Sequence, residues 1–193
     1  MVNLFFICGA HCCGKTTVLK KLEQDGDISF RGSEIGNDLF NERKFLTETV
    51  DEEFEFEVAN LEIQRDTELI NYKGVVGIET WHPGNMAYAA TRNPNTILSL
   101  RETALKSPLI DHAFGVWINI NKNEIRKRTQ LFQERVDWAC EFYGKVNSKI
   151  VNCIELLTLQ HRIRVIDGNR RIEAVIYDVK EFFHLVFPTN IKL

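Results

Sequence analysis

The sequence lacks several features that define whole classes of proteins. It contains no apolar run as long as a membrane span, and its first residues already form a candidate core strand, so we expect neither a membrane anchor nor a leader. Positive charge is not in excess, since 24 Lys and Arg stand against 27 Asp and Glu for a net charge of −3. This balance disfavours bulk binding to nucleic acid. Repeats and linkers are also missing, which leaves a soluble folded protein.

The cysteines are not spaced for disulfide or zinc-binding chemistry. The five cysteines lie at positions 8, 12, 13, 140 and 153, an odd number without a two-residue spacing. A disulfide framework or a zinc knuckle is therefore not expected, and a reducing cytoplasm is the predicted compartment. We interpret the adjacent Cys12 and Cys13 as loop fillers.

A phosphate-binding motif stands near the N-terminus. Residues 9–17 fit the pattern G-x-x-x-x-G-K-[ST]. The apolar run 2–8 before it is typical of a buried strand, and residues 16–23 place apolar side chains on one helical face. Strand, loop and helix occur in the required order, so the sequence predicts a P-loop. Its members are Gly9, Ala10, His11, Cys12, Cys13, Gly14, Lys15, Thr16 and Thr17.

The residue types explain the chemistry of this loop. Gly9 and Gly14 permit turns in which successive N–H groups point at phosphate oxygens, and the helix N-terminus adds a favourable dipole. Lys15 brings a full positive charge to the outer phosphates, and the Thr16 hydroxyl is suited to ligate Mg²⁺. His11 either touches phosphate or packs within the loop. ATP and Mg²⁺ are therefore the expected cofactors.

Strands and helices alternate along the rest of the chain. Apolar runs near residues 75–78, 113–120 and 163–166 predict three further strands, and residues 27–36 predict a short strand that runs into a loop. Helical segments lie between the strands, one of them beginning at Asn85. Such alternation is typical of a parallel sheet covered on both faces. We predict an α/β protein with the three-layer P-loop NTPase fold, a five-stranded parallel sheet with helices on both faces, as a single domain over residues 1–193.

An acidic residue ends the strand predicted at residues 75–78. An apolar strand that ends in Glu79 is a Walker B arrangement. Because neighbouring parallel strands end at the same edge, Glu79 should lie beside Thr16 and reach Mg²⁺ or its waters. A glutamate that merely caps a strand is the alternative.

A basic segment follows the fourth predicted strand. On a helix, Arg128 and Arg135 are two turns apart and share a face, so both can converge on one target. Phosphoryl transfer needs positive charge over the migrating group, supplied by a segment that closes when the substrates are bound. We expect a lid near residues 121–137, with Arg126, Arg128 and Arg135 as catalytic cations. A solvated helix face balanced by glutamates is the alternative.

The order of these motifs resembles the thymidylate kinase-like group of nucleoside and nucleoside-monophosphate kinases across nearly the full length. Ser33-Glu34-Ile35-Gly36 looks like that family's Arg-Glu-Pro-Gly loop, which implies that Glu34 lies at the acceptor. Met86-Ala87-Tyr88 looks like its Leu-Ala-Tyr-Gln segment, which implies an acceptor contact for Tyr88. The basic segment falls where the family has its lid arginines.

The resemblance extends to the C-terminal part of the chain. Val165-Ile166-Asp167-Gly168 looks like the strand and loop that pass the donor adenine, which implies that Asp167 and Gly168 contact the nucleotide. Ile172-Glu173-Ala174-Val175 looks like the start of the last helix of the family.

Two departures from the family concern the acceptor and the loop. The family has Asp-Arg or Glu-Arg where this chain has Glu79-Thr80, and that arginine holds an acceptor phosphate. The loop reads His11-Cys12 where thymidylate kinases usually carry Asp-Gly. Trp81 either stacks on an acceptor base or belongs to the core. The candidates for acceptor contacts are Arg65, Trp81, His82 and Arg92.

These observations predict ATP- and Mg²⁺-dependent phosphoryl transfer to a small acceptor, a nucleoside or a thymidylate-like monophosphate. Long helices would allow a homodimer, although no self-complementary face is evident. A nucleotide-dependent switch is one alternative, because Asn121-Lys122-Asn123-Glu124 resembles the guanine-reading Asn-Lys-x-Asp motif. A nucleic-acid 5′-end kinase is another, but it would need a basic groove.

Overall fold

The computed structural model describes residues 2–43, 50–130 and 135–188. Within these residues the chain forms a five-stranded sheet in the order β2-β3-β1-β4-β5, with every neighbouring pair parallel. This arrangement confirms the predicted parallel sheet. The strands are β1 (Asn3–Cys8), β2 (Phe30–Arg31), β3 (Val75–Glu79), β4 (Ala113–Asn119) and β5 (Ile163–Asp167).

Helices cover both faces of the sheet. Along β1, Leu4, Phe6 and Cys8 join a core cluster with the helices at 52–69, 81–92, 97–104 and 136–156, whereas Phe5 and Ile7 join a second cluster with the helices at 15–24 and 172–186. Successive strand residues point to opposite faces, so a continuous apolar run can supply two cores. The described helices are α1 (Lys15–Gln24), α2 (Ile35–Arg43), α3 (Glu52–Leu69), α4 (Trp81–Arg92), α5 (Ile97–Ala104), α6 (Lys122–Gln130), α7 (Val136–Leu156) and α8 (Ile172–Val186).

Several helix boundaries differ from the sequence-based expectation. Helix α4 begins at Trp81 rather than near Asn85. Pro83 lies in its first turn, where a proline is tolerated because the helix uses no N–H donor at that position. Helix α2 begins at Ile35, within the stretch expected to be a loop. Sequence patterns place such boundaries poorly when the capping contacts are long-range.

The basic segment is also divided differently. Helix α6 ends at Gln130 and α7 begins at Val136, with Arg135 in a non-helical conformation before it. Residues 131–134 of the expected lid lie outside the described residues. Arg128 and Arg135 therefore do not share one helix, which corrects the premise that they share a helical face.

The register of the sheet brings three loops to one edge. Ile7 pairs with Glu79 and Cys8 pairs with Trp117, so β1, β3 and β4 end side by side. The loop after β1 thus starts beside Glu79. No described helix combines the length and apolar character needed to cross a membrane.

Candidate active site

The loop after β1 has the backbone of a phosphate cradle. Gly14 has φ of 103° directly before α1, in the left-handed region that glycine adopts most easily. A Cβ at Gly9 would lie 2.5 Å from Cys13 Sγ and 2.7 Å from the Ile118 carbonyl oxygen. Both glycines are therefore required by geometry, and the P-loop conformation follows from the sequence.

Lys15 is held at the centre of this loop. Its side chain is buried, and Nζ donates to the carbonyl oxygens of Gly9 and Ala10, both at 3.2 Å. Burial by itself would lower the pKa of Lys15, but surrounding acidic groups, including Glu34 and Glu79, raise it above the ordinary value. Lys15 is therefore positively charged and can bind an anionic ligand.

Thr16 and Glu79 meet as the sequence predicted. The Thr16 hydroxyl donates to Glu79 Oε2 at 2.7 Å, and Glu79 as a residue is 7% exposed. Burial and the nearby Glu34 raise the pKa of Glu79, against the hydrogen bond from Thr16 that lowers it. These hard oxygen donors fit Mg²⁺, which takes one or two protein ligands beside phosphates and water. In the described part of the chain, no group of three or more His, Cys, Asp and Glu side chains forms a metal site of its own.

Glu34 lies against Thr80, the residue that directly follows Glu79. The Thr80 hydroxyl donates to Glu34 Oε1. Thr80 precedes α4 with φ of 66° and ψ of −61°, a conformation that non-glycine residues rarely adopt, and its side chain is buried. The strained turn after β3 therefore aims a neutral hydrogen-bond donor at Glu34.

A cavity of about 1000 Å³ opens over the P-loop, between two walls of different composition. Residues between 34 and 92 form the first, here called the 34–92 wall. It carries the acids Glu34, Glu55 and Glu79 and the aromatic or polar side chains of Asn37, Phe40, Asn41, Phe54, Thr80, Asn85, Tyr88 and Arg92. Among its described residues, Arg92 is the one cation.

The second wall, here called the 124–172 wall, is basic. Its described charged residues are four cations and one acid, Lys127, Arg128, Arg170, Arg171 and Glu124. Tyr143, Asn169 and Ile172 complete it. Arg128 was predicted from the sequence, whereas Arg170 and Arg171 were not, because the turn after β5 brings them to the cavity.

Arg92 and Glu55 form an ion pair in the 34–92 wall. Arg92 Nη1 donates to Glu55 Oε1, and the guanidinium lies 5.8 Å from the ring centroids of Tyr88 and Phe142. Burial raises the pKa of Glu55, and Arg92 opposes that shift. Glu55 was not predicted as a site residue, because an acid near a helix N-terminus is already explained by the helix dipole.

Arg128 joins three segments. Its Nη1 donates to the Cys12 carbonyl oxygen at 3.0 Å, Nη2 donates to the Gly168 carbonyl oxygen at 2.7 Å, and Nε donates to Glu124 Oε1 at 2.8 Å. The side chain thus ties the P-loop to the turn after β5. Asp167 is used within that turn, where its Oδ1 accepts the Asn169 N–H at 3.0 Å, a bond that lowers the pKa of Asp167.

The other two expected lid arginines lie elsewhere. Arg126 pairs with Asp137 at 2.7 Å and is half-exposed, and the Arg135 guanidinium lies 5.1 Å from the Trp138 ring. Neither belongs to the described lining of the cavity. The lid itself stays a prediction.

Two candidate acceptor residues lie outside the described cavity lining. Trp81 is 0% exposed and packs 4.8 Å from the ring of Phe6, which corrects the expectation that it stacks on an acceptor. Arg65 pairs with Asp66 at 3.1 Å and Glu62 at 3.5 Å. Neither contributes to the described cavity wall.

His82 pairs with the same two acids as Arg65. Its Nδ1 lies 3.0 Å from Glu62 Oε2 and its Nε2 lies 3.1 Å from Asp66 Oδ2. Burial opposes protonation, but these two carboxylates raise the pKa of His82 to about 9. We call Glu62, Arg65, Asp66 and His82 the buried ion cluster.

The remaining motif residues have local roles. His11 stacks on Tyr143 at 5.1 Å and also lines the cavity, so both interpretations of this side chain remain open. Asn121 Oδ1 accepts the Glu124 N–H at 2.9 Å, which caps α6. That use of the side-chain oxygen gives Asn121 a structural explanation beside the guanine-reading one.

Comparisons with known proteins agree with this fold. No protein-family model matches the chain, and no curated protein matches its sequence. A solved NadR protein in complex with NR superimposes with a TM-score of 0.73 at 12% identity, over 100% of this chain and 52% of that chain. A NadR protein in complex with NAD and AMP-PNP gives 0.72 at 11% identity, over 100% and 51%.

A deoxyadenosine kinase from M. mycoides with bound dATP gives a TM-score of 0.69 at 10% identity, over 94% of this chain and 98% of that chain. This chain therefore spans about half the length of the NadR chains and nearly all of the deoxyadenosine kinase. The likeness shows a shared three-layer P-loop fold. The thymidylate-like part of the family resemblance stays a prediction.

Proposed function

We propose that this protein is a kinase that transfers the terminal phosphoryl group of ATP to a hydroxyl of a nucleoside-like small molecule. The observation that carries the proposal is the cavity in which the P-loop lies between a basic wall and an acidic wall. A triphosphate fits the basic side, and a neutral acceptor fits the acidic side.

The triphosphate side follows from charge and backbone geometry. The P-loop N–H groups and Lys15 would bind the phosphates, and the basic 124–172 wall would neutralise further negative charge. Thr16 and Glu79 would hold Mg²⁺, which supplies charge neutralisation to the phosphate oxygens when bound. Arg128 would hold the P-loop and the turn after β5 in fixed positions relative to each other.

Glu34 is the proposed proton acceptor. It would take the proton of the acceptor hydroxyl as the hydroxyl oxygen bonds to phosphorus and the nucleoside diphosphate leaves. Thr80 donates to one carboxylate oxygen, Oε1, which fixes the side chain and leaves the other oxygen for the acceptor. Positioning of this kind supplies much of the rate in phosphoryl transfer.

The charge of the 34–92 wall favours a hydroxyl over a phosphate as acceptor. A nucleoside monophosphate would bring two negative charges to a surface whose described cation, Arg92, is already paired with Glu55. Thr80, in place of an arginine, offers no positive charge. The side chains of Phe40, Phe54 and Tyr88 are suited instead to the apolar faces of a nucleoside base.

The solved structures with this fold are consistent with the proposal. One is a deoxyadenosine kinase with bound dATP, and another binds NAD and AMP-PNP. Ligands of this type combine a base, a sugar and phosphates, which is the composition expected for the two walls. A thymidylate-like acceptor is the less favoured form of the proposal.

The test is ATP consumption, with Mg²⁺, against a panel of nucleosides and nucleoside monophosphates. We expect acceptor-dependent ADP release with a nucleoside, and a fall of about 10²- to 10³-fold in Lys15→Ala. Lys20→Ala is the matched control, because Lys20 is an exposed lysine on the same helix. ATP turnover that no acceptor changes would refute the kinase function.

A further inference from the structure

Asp66 is a hydrogen-bonding centre outside the cavity. The residue is 0% exposed. Its Oδ2 accepts from Trp81 Nε1 at 3.1 Å, His82 Nε2 at 3.1 Å and Ser107 Oγ at 2.6 Å, and its Oδ1 accepts from Arg65 Nη2 at 3.1 Å. One carboxylate thus connects α3 with the start of α4 and with the segment after α5.

The first connection leads to the loop that carries Glu34. Arg65, held by Asp66, extends Nη1 to the carbonyl oxygen of Ser33 at 3.2 Å. Ser33 directly precedes Glu34 in the chain. The backbone beside Glu34 is therefore tied to α3 through an arginine whose side chain is 11% exposed.

The second connection leads to the partner of Glu34. Trp81 and His82 directly follow Thr80, and the turn has positive φ at both Thr80 (66°) and Trp81 (46°). A non-glycine turn of this kind persists only when surrounding contacts determine it. The two hydrogen bonds to Asp66 supply such contacts immediately after Thr80.

The charges of the buried ion cluster balance. Glu62 and Asp66 face Arg65 and His82, so the burial of four ionisable side chains leaves no net charge inside. Buried ion pairs seldom stabilise a protein more than apolar residues of equal volume. Stability alone is thus a poor reason for this cluster, whereas the precise orientation of nearby groups is a sufficient one.

We propose that Asp66 and Arg65 are positioning residues that hold Glu34 and Thr80 in contact. The inference rests on the proposed function, in which Glu34 takes the acceptor's proton. Because one carboxylate anchors both Ser33, through Arg65, and the turn at Thr80, a change at either connection moves Glu34 relative to its hydrogen-bond donor. The P-loop is not part of this path.

Arg65→Gln is the main test, with Arg101→Gln as its matched control. Arg101 is also a partly buried arginine that donates to a main-chain carbonyl, that of Leu156 at 2.9 Å, but far along the chain from Glu34. We expect kcat at saturating acceptor to fall about 10- to 100-fold in Arg65→Gln. Affinity for AMP-PNP, measured by calorimetry, should stay within about two-fold.

A conservative variant separates positioning from loss of fold. Arg65→Lys keeps the charge and one donor, so it should recover part of kcat, whereas Arg101→Gln should keep kcat within about two-fold. An unchanged kcat in Arg65→Gln, or an equal loss in Arg101→Gln, would overturn the inference. So would a parallel loss of AMP-PNP binding in Arg65→Gln.

A structural readout distinguishes this inference from the proposed function. If the unaltered protein shows no acceptor-dependent turnover, the kinase function fails, and amide hydrogen exchange over residues 32–37 then tests the positioning alone. We expect faster exchange there in Arg65→Gln than in Arg101→Gln. Equal exchange in the two variants would contradict the inference independently of activity.

Discussion

The two walls of the cavity differ in charge and in how they are built. The 124–172 wall has four described cations and one acid, and it lies beside the P-loop, a continuous segment that Arg128 ties to the turn after β5. The 34–92 wall has three acids and one cation, and its key contacts join residues tens of positions apart. A phosphate site can be built by backbone amides, whereas an acceptor site has to be assembled from side chains of several elements.

The largest effect on this comparison should come from Glu34→Gln. Loss of the proton acceptor should lower kcat about 10²- to 10⁴-fold. AMP-PNP affinity should stay within about two-fold, because the basic wall is untouched. Steady-state rates and calorimetry check the two halves of the statement. Glu52→Gln, at an exposed position on α3, is the control, and equal losses in both variants would break the division of labour.

The buried ion cluster should make the free energy of unfolding depend on pH. The pKa of His82 is raised from 6.5 to about 9, so its contribution to stability is complete below about pH 6.5 and is lost as pH rises through 9. Asp66, with its lowered pKa, stays ionised throughout this range.

Chemical unfolding between pH 6.5 and pH 9.5 measures this contribution. The free energy of unfolding should fall by up to about 3 kcal/mol more in the unaltered protein than in His82→Gln. The groups that face His82 are Glu62 and Asp66 on α3, with Arg65 beside them. Identical pH profiles for the two proteins would show that His82 is neutral in the fold.

Glu55→Gln should reduce the difference in charge between the two walls. Removing the carboxylate releases Arg92 from its ion pair, so the 34–92 wall becomes less acidic. We expect the KM for a nucleoside to rise about ten-fold, since the hydrogen bond between Arg92 and the charged Glu55 carboxylate is lost or rearranged. Inhibition by nucleoside monophosphates should strengthen at the same time, and weaker inhibition would contradict the charge argument.

Arg128→Ala should have the smallest effect and should act on the basic side alone. Its bonds to the carbonyl oxygens of Cys12 and Gly168 are replaced by water, which should lower AMP-PNP affinity about five-fold. Arg126→Ala is the control, because Arg126 pairs with an exposed partner outside the described cavity wall. If Arg126→Ala lowered AMP-PNP affinity more than Arg128→Ala, the result would support the predicted lid and contradict the placement of Arg126 outside the site.

The two walls were also unequally accessible to prediction. Thr16 and Glu79 were paired from the sequence because neighbouring parallel strands end at one edge, and the observed register of Ile7 with Glu79 agrees with that rule. Trp81 was assigned to either core or acceptor, and only the packing against Phe6 decided for the core. The alignment of Arg128 with Arg135 failed because it assumed one continuous helix.

The sequence by itself determined the parallel sheet, the P-loop and the acid beside Thr16, since each depends on local periodicity, on glycine's backbone freedom or on a topological rule. Only the tertiary structure decided that Arg92 meets Glu55, that Thr80 donates to Glu34 and that Asp66 anchors both neighbours of that contact. The residues of these pairs are far apart in sequence: Asp66 and Trp81 are separated by 15 positions, and Glu34 and Thr80 by 46. Their meeting depends on how helices pack over the sheet, which no local pattern of residues encodes.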